Sequence, residues 1–278
     1  PVALGLKMLF SSAILLTFLF MLFLPVFGYF KQKKGLGLLC FLIFNILFIT
    51  AHFKSSFTED RQKPTSLVYV FDADEASATW NSYDGIIDPW TQPFFGDDPQ
   101  KAEDIDASFE SKYRSNFTYN AQAPLVKIEE PSVLFEQVSN KDSIKNSATY
   151  SLKIAPNRKI NRIELFADKN VNFKDFSVNG LKADSMALGS QNFHVFQKRW
   201  HNRLITYHAS NSDTLRIQFT IDPEKLPEFT LYEASYDLLE NEMLKVPPRE
   251  ENMIPRPFVL NDAVIIKKTI SFNNPNTE

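Results

Sequence analysis

The chain has 278 residues with 30 Lys plus Arg against 33 Asp plus Glu. The first 53 residues hold four of the bases and none of the acids, which leaves 26 bases against 33 acids, net −7, in the remainder. That balance, without a basic stripe, excludes nucleic acid as a partner, because phosphate recognition needs clustered Lys and Arg; the single cysteine, Cys40, excludes an intrachain disulfide.

Two apolar runs come first, Met8 to Gly28 and Leu36 to Phe53, separated by the basic turn Lys31-Gln-Lys-Lys34. A run of about 20 apolar residues spans the hydrocarbon core as a helix, since lipid cannot satisfy free backbone groups. Residues 1–53 therefore read as a two-helix transmembrane hairpin, with the bilayer as partner. The turn lysines place the turn in the cytoplasm and both chain ends outside, although Lys7, Lys54, Arg61 and Lys63 flank the spans. The first run is too long for a signal-peptide core and has no small-residue cleavage site before the basic turn. The expectation is an integral, multi-pass membrane protein whose soluble domain lies on the extracytoplasmic side, periplasmic or lumenal. A chain that opens at Pro1 without an initiator Met and enters a membrane at once reads as a piece of a longer protein. Asn45, an amide within the second span, is expected to hydrogen-bond to a neighbouring helix.

Residues 54–64 read as a linker, with Lys63-Pro64 favouring extended backbone, and residues 65–278 as an extracytoplasmic β domain. Short β-branched and aromatic runs predict strands at Ser66–Phe71, Ala78–Tyr83, Leu125–Ile128, Val133–Val138, Ala148–Ile154, Arg162–Phe166, Phe173–Val178, Phe193–Gln197, Arg203–His208, Leu215–Ile221, Phe229–Tyr236 and Val264–Phe272. Asn179-Gly180 is a turn signal, and Ala209-Ser-Asn-Ser-Asp213 reads as a hairpin loop between two alternating runs. Gln100 to Tyr113 and Leu238 to Lys245 are candidate short helices. Four prolines between Pro247 and Pro257 predict a stiff extended connection. The fold class is mainly β, an antiparallel β-sandwich-like extramembrane domain.

Catalytic patterns are lacking. His52 lies at the membrane boundary, and His194, His201 and His208 are spaced by seven without a His-Glu-x-x-His, a Cys-x-x-Cys or a Gly-x-Ser-x-Gly elbow in the chain. Eight glycines in all argue against a phosphate-cradling turn. Two acidic clusters, Asp72-Ala-Asp74-Glu75 and Asp97-Asp98 with Glu103, Asp104 and Asp106, have oxygen ligands for calcium but lack EF-hand spacing, and solvated turns are the alternative. Asp84 and Asp88 with Trp80 and Trp90 make either a sugar- or peptide-binding patch or core packing. Asn116-Phe-Thr118 is a formal glycosylation sequon. No catalytic, cofactor-binding or metal-ligating residue is assigned.

The segments Lys63-Pro-Thr-Ser-Leu-Val-Tyr-Val-Phe-Asp-Ala-Asp74, Ala78-Thr-Trp-Asn-Ser-Tyr-Asp84, Asp88-Pro-Trp-Thr91 and Ile254-Pro-Arg-Pro-Phe-Val-Leu-Asn-Asp-Ala-Val-Ile-Ile-Lys-Lys-Thr-Ile270 resemble the C-terminal extramembrane region of multipass zinc aminopeptidases. These are membrane-embedded relatives of the endoplasmic-reticulum metallopeptidase and the vacuolar membrane protease, including bacterial forms. The resemblance implies a non-catalytic anchor and accessory β domain of a membrane-bound zinc metallopeptidase. Its partners would be an upstream peptidase domain with further spans, and a peptide substrate. The zinc ligands would belong to the upstream domain and have no counterpart here. The alternative is a self-contained membrane-tethered β-sandwich module that binds a glycan, peptide or partner protein. A third reading is a scaffold subunit contacting its neighbour through Asn45 and the face of Phe41, Phe44 and Phe48.

Overall fold

The computed structural model describes residues 7–29, 31, 33–102, 116–139, 147–183, 185–197, 199–211 and 213–272. Backbone contacts divide the chain into two units, Pro1–Lys63 with Glu251–Met253, and Pro64–Glu250 with Ile254–Glu278.

In the first unit one helix, Lys33–Phe53, contains a 20-residue stretch, Lys34–Phe53, long and apolar enough to cross a membrane. Its side chains Phe41, Phe44 and Phe48 are all more than half exposed, and Phe44 and Phe48 stack at 6.1 Å on one face. Asn45 donates to the Phe41 carbonyl at 2.7 Å and Thr50 to that of Ile46 at 2.8 Å, both bonds running back within the same helix.

The first apolar run differs from expectation. It forms a helix over Lys7–Leu22, then breaks at Phe23 before a four-residue helix, Leu24–Phe27, with Pro25 in its first turn. Proline supplies no N–H to the preceding turn and crowds its carbonyl, which separates the two pieces. Only the 13-residue stretch Phe10–Leu22 remains as a continuous described apolar helix, about 20 Å at 1.5 Å per residue and short of the ~30 Å hydrocarbon core. The two-helix hairpin and the multi-pass localisation built on it are therefore corrected to one helix of membrane-spanning length among the described residues.

The second unit is mostly β. Among the described residues, eight strands form one sheet in the order Arg203–Asn211, Ile160–Phe166, Phe229–Ser235, Ala263–Ile270, Val68–Asp72, Ser77–Ser82, Tyr119–Gln122 and Gln100–Lys101. Five form a second sheet in the order Leu181–Lys182, Lys174–Val178, Leu215–Ile221, Ala148–Ala155 and Ser132–Gln137. Pairing is antiparallel except between Ala263–Ile270 and Val68–Asp72, which run parallel in the middle of the larger sheet. A separate hairpin joins Ser185–Leu188 to Gln191–His194.

Alternation sets which face each strand buries. Leu215, Ile217, Phe219 and Ile221 turn inward, while Arg216 and Gln218 are exposed and Thr220 half-buried. Ala148, Tyr150, Leu152 and Ile154 do the same on the neighbouring strand. They meet Ile163, Leu165, Phe229 and Leu231 of the larger sheet in one apolar cluster. Aromatic rings fill its centre: Phe219 lies 5.0 Å from Phe173, 5.8 Å from Phe229 and 6.1 Å from Tyr150, and Phe176 stacks on Phe196 at 3.8 Å. Each such ring contributes about 1.5–3 kcal/mol by leaving water. A second cluster on the opposite face of the larger sheet joins Val68, Val70, Tyr83, Phe166, Tyr232, Leu260 and Ile265.

Four local expectations change. The strand expected over Phe193–Gln197 runs instead over Gln191–His194, and residues 195–197 form a turn. Leu125–Ile128 is not a strand, whereas the polar Tyr119–Gln122 is, paired to Ser77–Ser82. Ala209–Asp213 does not close a hairpin, because the strands on either side belong to different sheets. Leu238–Lys245 is made of turns rather than helix. The helix expected over Gln100–Tyr113 lies largely outside the described residues, and Gln100–Lys101 at its start is a short strand.

Candidate functional site

The Asp84, Asp88, Trp80 and Trp90 group is buried, each residue 6 % exposed or less. Asp84 accepts from the Ser66 N–H at 2.7 Å and the Ser66 hydroxyl at 2.9 Å, and pairs with Arg256 at 3.2 Å. Asp88 accepts from the N–H groups of Trp90 and Thr91, both at 2.9 Å, and so fixes the turn that leads into the short helix Gln92–Phe95. The Trp90 indole donates to the Pro247 carbonyl at 3.1 Å, and the Arg249 guanidinium lies 4.5 Å above its ring. Arg249 in turn binds Asp262 through both terminal nitrogens and Thr65 Oγ1 at 2.7 Å. Trp80 packs edge-on against Tyr69 at 5.2 Å and Phe94 at 4.8 Å. This group is a polar and aromatic pin joining the segments around residues 65, 84, 90, 249 and 262. It is core packing and presents no ligand surface.

The acidic turn is likewise committed. Asp72 Oδ1 accepts from the N–H groups of Asp74 and Glu75, its Oδ2 holds Lys267 at 2.7 Å, and Asp74 accepts from the Thr269 N–H at 2.7 Å. Burial pulls the Lys267 pKa down, but the Asp72 hydrogen bond and charge outweigh it and the net direction is up. Asp97 accepts from the Gln92 side chain at 2.9 Å; Glu103, Asp104 and Asp106 lie outside the described residues. His194, His201 and His208 are exposed. Among the described residues no group of three or more His, Cys, Asp and Glu stands where it could hold a metal ion. The zinc, metallopeptidase, hydrolase and proteolysis reading that the resemblance implied finds no site to support it and is withdrawn.

Two buried carboxylates, each paired with arginine, serve the larger sheet. Glu164 sits between Arg162, which donates to its Oε1, and Arg203, 4.0 Å from its Oε2. Glu233, with a side chain wholly removed from solvent, accepts from Arg158 Nε at 2.9 Å. Burial pushes the Glu233 carboxyl above its ordinary range, with Arg158 opposing, and lowers the Arg162 guanidinium from its usual value.

One open feature of the second unit lies on the outer face of the five-stranded sheet. There Ser151, Ser177, Asn179, Gly180, Thr214, Arg216 and Gln218 line a groove of about 500 Å³. Register places Gln218 between Ser151 and Ser177 on its two neighbouring strands, and Arg216 opposite Lys153. At one end the Asn179-Gly180 turn, with φ of +48° and +83°, joins Lys174–Val178 to Leu181–Lys182. These positive angles suit the two-residue type I′ geometry that Asn-Gly favours. Asn179 is fixed by a reciprocal pair, its N–H donating to the Arg216 carbonyl and its Oδ1 accepting from the Arg216 N–H, both at 2.8 Å.

The groove thus offers hydroxyls, amides and one guanidinium from strands whose alternate residues build the core beneath. Its lining residues include no carboxylate, histidine or cysteine. Its chemistry is hydrogen bonding. Comparison with protein-family models, curated proteins and solved structures finds no match.

Proposed function

We propose that the chain is a membrane-tethered binding module whose two sheets pack as a β-sandwich, and that the outer face of the five-stranded sheet binds a glycan. The observation that carries this reading is the composition of the groove. Side chains bearing hydroxyl, amide and guanidinium groups line it, with no large aliphatic or aromatic residue among them, and such a lining suits a ligand whose own surface is mostly hydroxyl.

The strand pairing favours a glycan over an extended peptide. Leu215–Ile221 is hydrogen-bonded on both sides, to Ala148–Ala155 and to Lys174–Val178. Its backbone groups are already used, so a peptide cannot add as a further strand at this place, and recognition falls to side chains. The tether is the helix containing Lys34–Phe53, whose exposed Phe, Leu and Ile side chains suit a lipid environment.

The test is a glycan-array screen of the full chain in detergent micelles, followed by titration of the hits. Gln218→Ala and Ser177→Ala are expected each to weaken binding several-fold, as a lost hydrogen bond to a bound ligand does. An array without hits, or hits indifferent to both substitutions, would remove the reading.

A further inference from the structure

The outer face of the five-stranded sheet is positively charged in a domain that is net negative. Arg216 and Lys153 lie directly opposite one another on paired strands, Lys182 is in register with Ser177, and Lys174 with Thr220. The acids nearby are few and turned to other tasks or positions. Glu136 is in register with Ser151, one pair along from Lys153. Asp213 accepts from the Ser210 N–H at 3.2 Å, and Asp175 sits at the irregular point of its strand with φ of +48°. Among the described residues neither Arg216 nor Lys153 has an ion-pair partner.

Like charges directly opposite on neighbouring strands destabilise a sheet. A fold that keeps Arg216 beside Lys153 at the wall of a hydrogen-bonding groove has a place where an anion relieves repulsion and finds a planar fork of donors. The neighbouring hydroxyls and amides of Ser151, Ser177, Asn179 and Gln218 are within the same groove, so the anion is expected to be one group on a larger hydroxylated molecule. Resting on the glycan reading above, we infer that the ligand is an acidic glycan, its carboxylate or sulfate ester bound by Arg216 with Lys153 adding charge, and its hydroxyls by the serines and amides.

The experiment compares three probes on the full chain in detergent micelles by isothermal titration: an oligogalacturonate, the same oligosaccharide methyl-esterified, and a sulfated neutral oligosaccharide. The acid should bind about 10- to 100-fold more tightly than its ester, the range of a charge-assisted hydrogen-bond pair. The advantage should shrink as salt is raised, because the site is exposed. Arg216→Gln should abolish the preference for the acid, so that acid and ester bind this variant equally, and Arg216→Lys should restore only part of the preference. Lys153→Gln should give a smaller loss of the same kind. Tighter binding of the sulfated probe than of the oligogalacturonate would assign the anion as a sulfate ester. Equal binding of all three probes, or an anion preference unaffected by Arg216→Gln, would overturn the acidic-ligand inference while leaving a neutral glycan site. Absence of saturable binding by all three would overturn the inference and the glycan reading together.

Discussion

Replacing Arg249 by Lys tests the assignment of Trp90 and its neighbours to the core. Arg249 is 7 % exposed in its side chain and its partner Asp262 19 %. Its guanidinium holds both Asp262 oxygens, donates to Thr65 Oγ1 at 2.7 Å, and lies 4.5 Å above the Trp90 ring. Lysine retains one charged contact to Asp262 but lacks the planar fork. The loss is two hydrogen bonds, about 2 kcal/mol, together with a weakened cation–π contact, about 0.5–1 kcal/mol. A total near 3 kcal/mol corresponds to a fall in Tm of about 6–12 °C for a domain of this size. Near-UV circular dichroism of the full chain in detergent micelles during heating reports it, because Trp90 and Trp80 sit in the affected region. Glycan affinity should not change, since the pin and the groove share no residue. An unchanged Tm with lost ligand binding would show that the Arg249–Trp90 pair serves a ligand and that the core assignment is wrong.

Phe219→Ala removes the ring that touches Phe173, Phe176, Phe229 and Tyr150; a loss of about 3–5 kcal/mol is expected in urea unfolding, as for other buried Phe truncations, and a loss below 1 kcal/mol would contradict the shared core. Glu233 has a folded-state pKa raised above its ordinary value of 4.5, so the folded state binds the proton more tightly and this group's contribution to stability falls as pH rises from that value through the folded pKa. Glu233→Gln should remove that component, so that variant stability improves relative to the parent as pH rises through this window. Unfolding midpoints between pH 4 and pH 8 measure it, and a relative change in the opposite direction would refute the burial argument.

Much of the sheet content could be read directly where strands are half-buried. Leu215–Ile221 alternates without exception, and its sequence pattern alone separates the inward Phe219 from the outward Gln218. Tyr119–Gln122 escaped notice because its polar residues are held by backbone pairing to Ser77–Ser82, which needs no apolar side chain. Turn chemistry identified Asn179-Gly180 correctly but could not reveal that the strands around Ala209–Asp213 enter different sheets, since sheet membership depends on distant partners. Pro25 stood in the first apolar run, yet average apolarity conceals where a helix breaks. The aspartate and tryptophan group was visible as a patch, but only three-dimensional burial decides between ligand and core. The groove residues run from Ser151 to Gln218 as common polar types, so no local motif announces them; alternation in the 215–221 strand is the one signal that pointed Arg216 and Gln218 outward.

The most direct test of glycan binding on the outer sheet face is to fill the groove. Ser177→Trp introduces an indole into the groove beside Gln218, and Glu240→Trp, on an exposed turn among residues 237–240, serves as a control of equal bulk. With both variants folded by circular dichroism, titration of the best glycan hit should show binding abolished by Ser177→Trp and retained by Glu240→Trp. Undiminished binding to the Ser177→Trp protein would place recognition elsewhere and contradict the account.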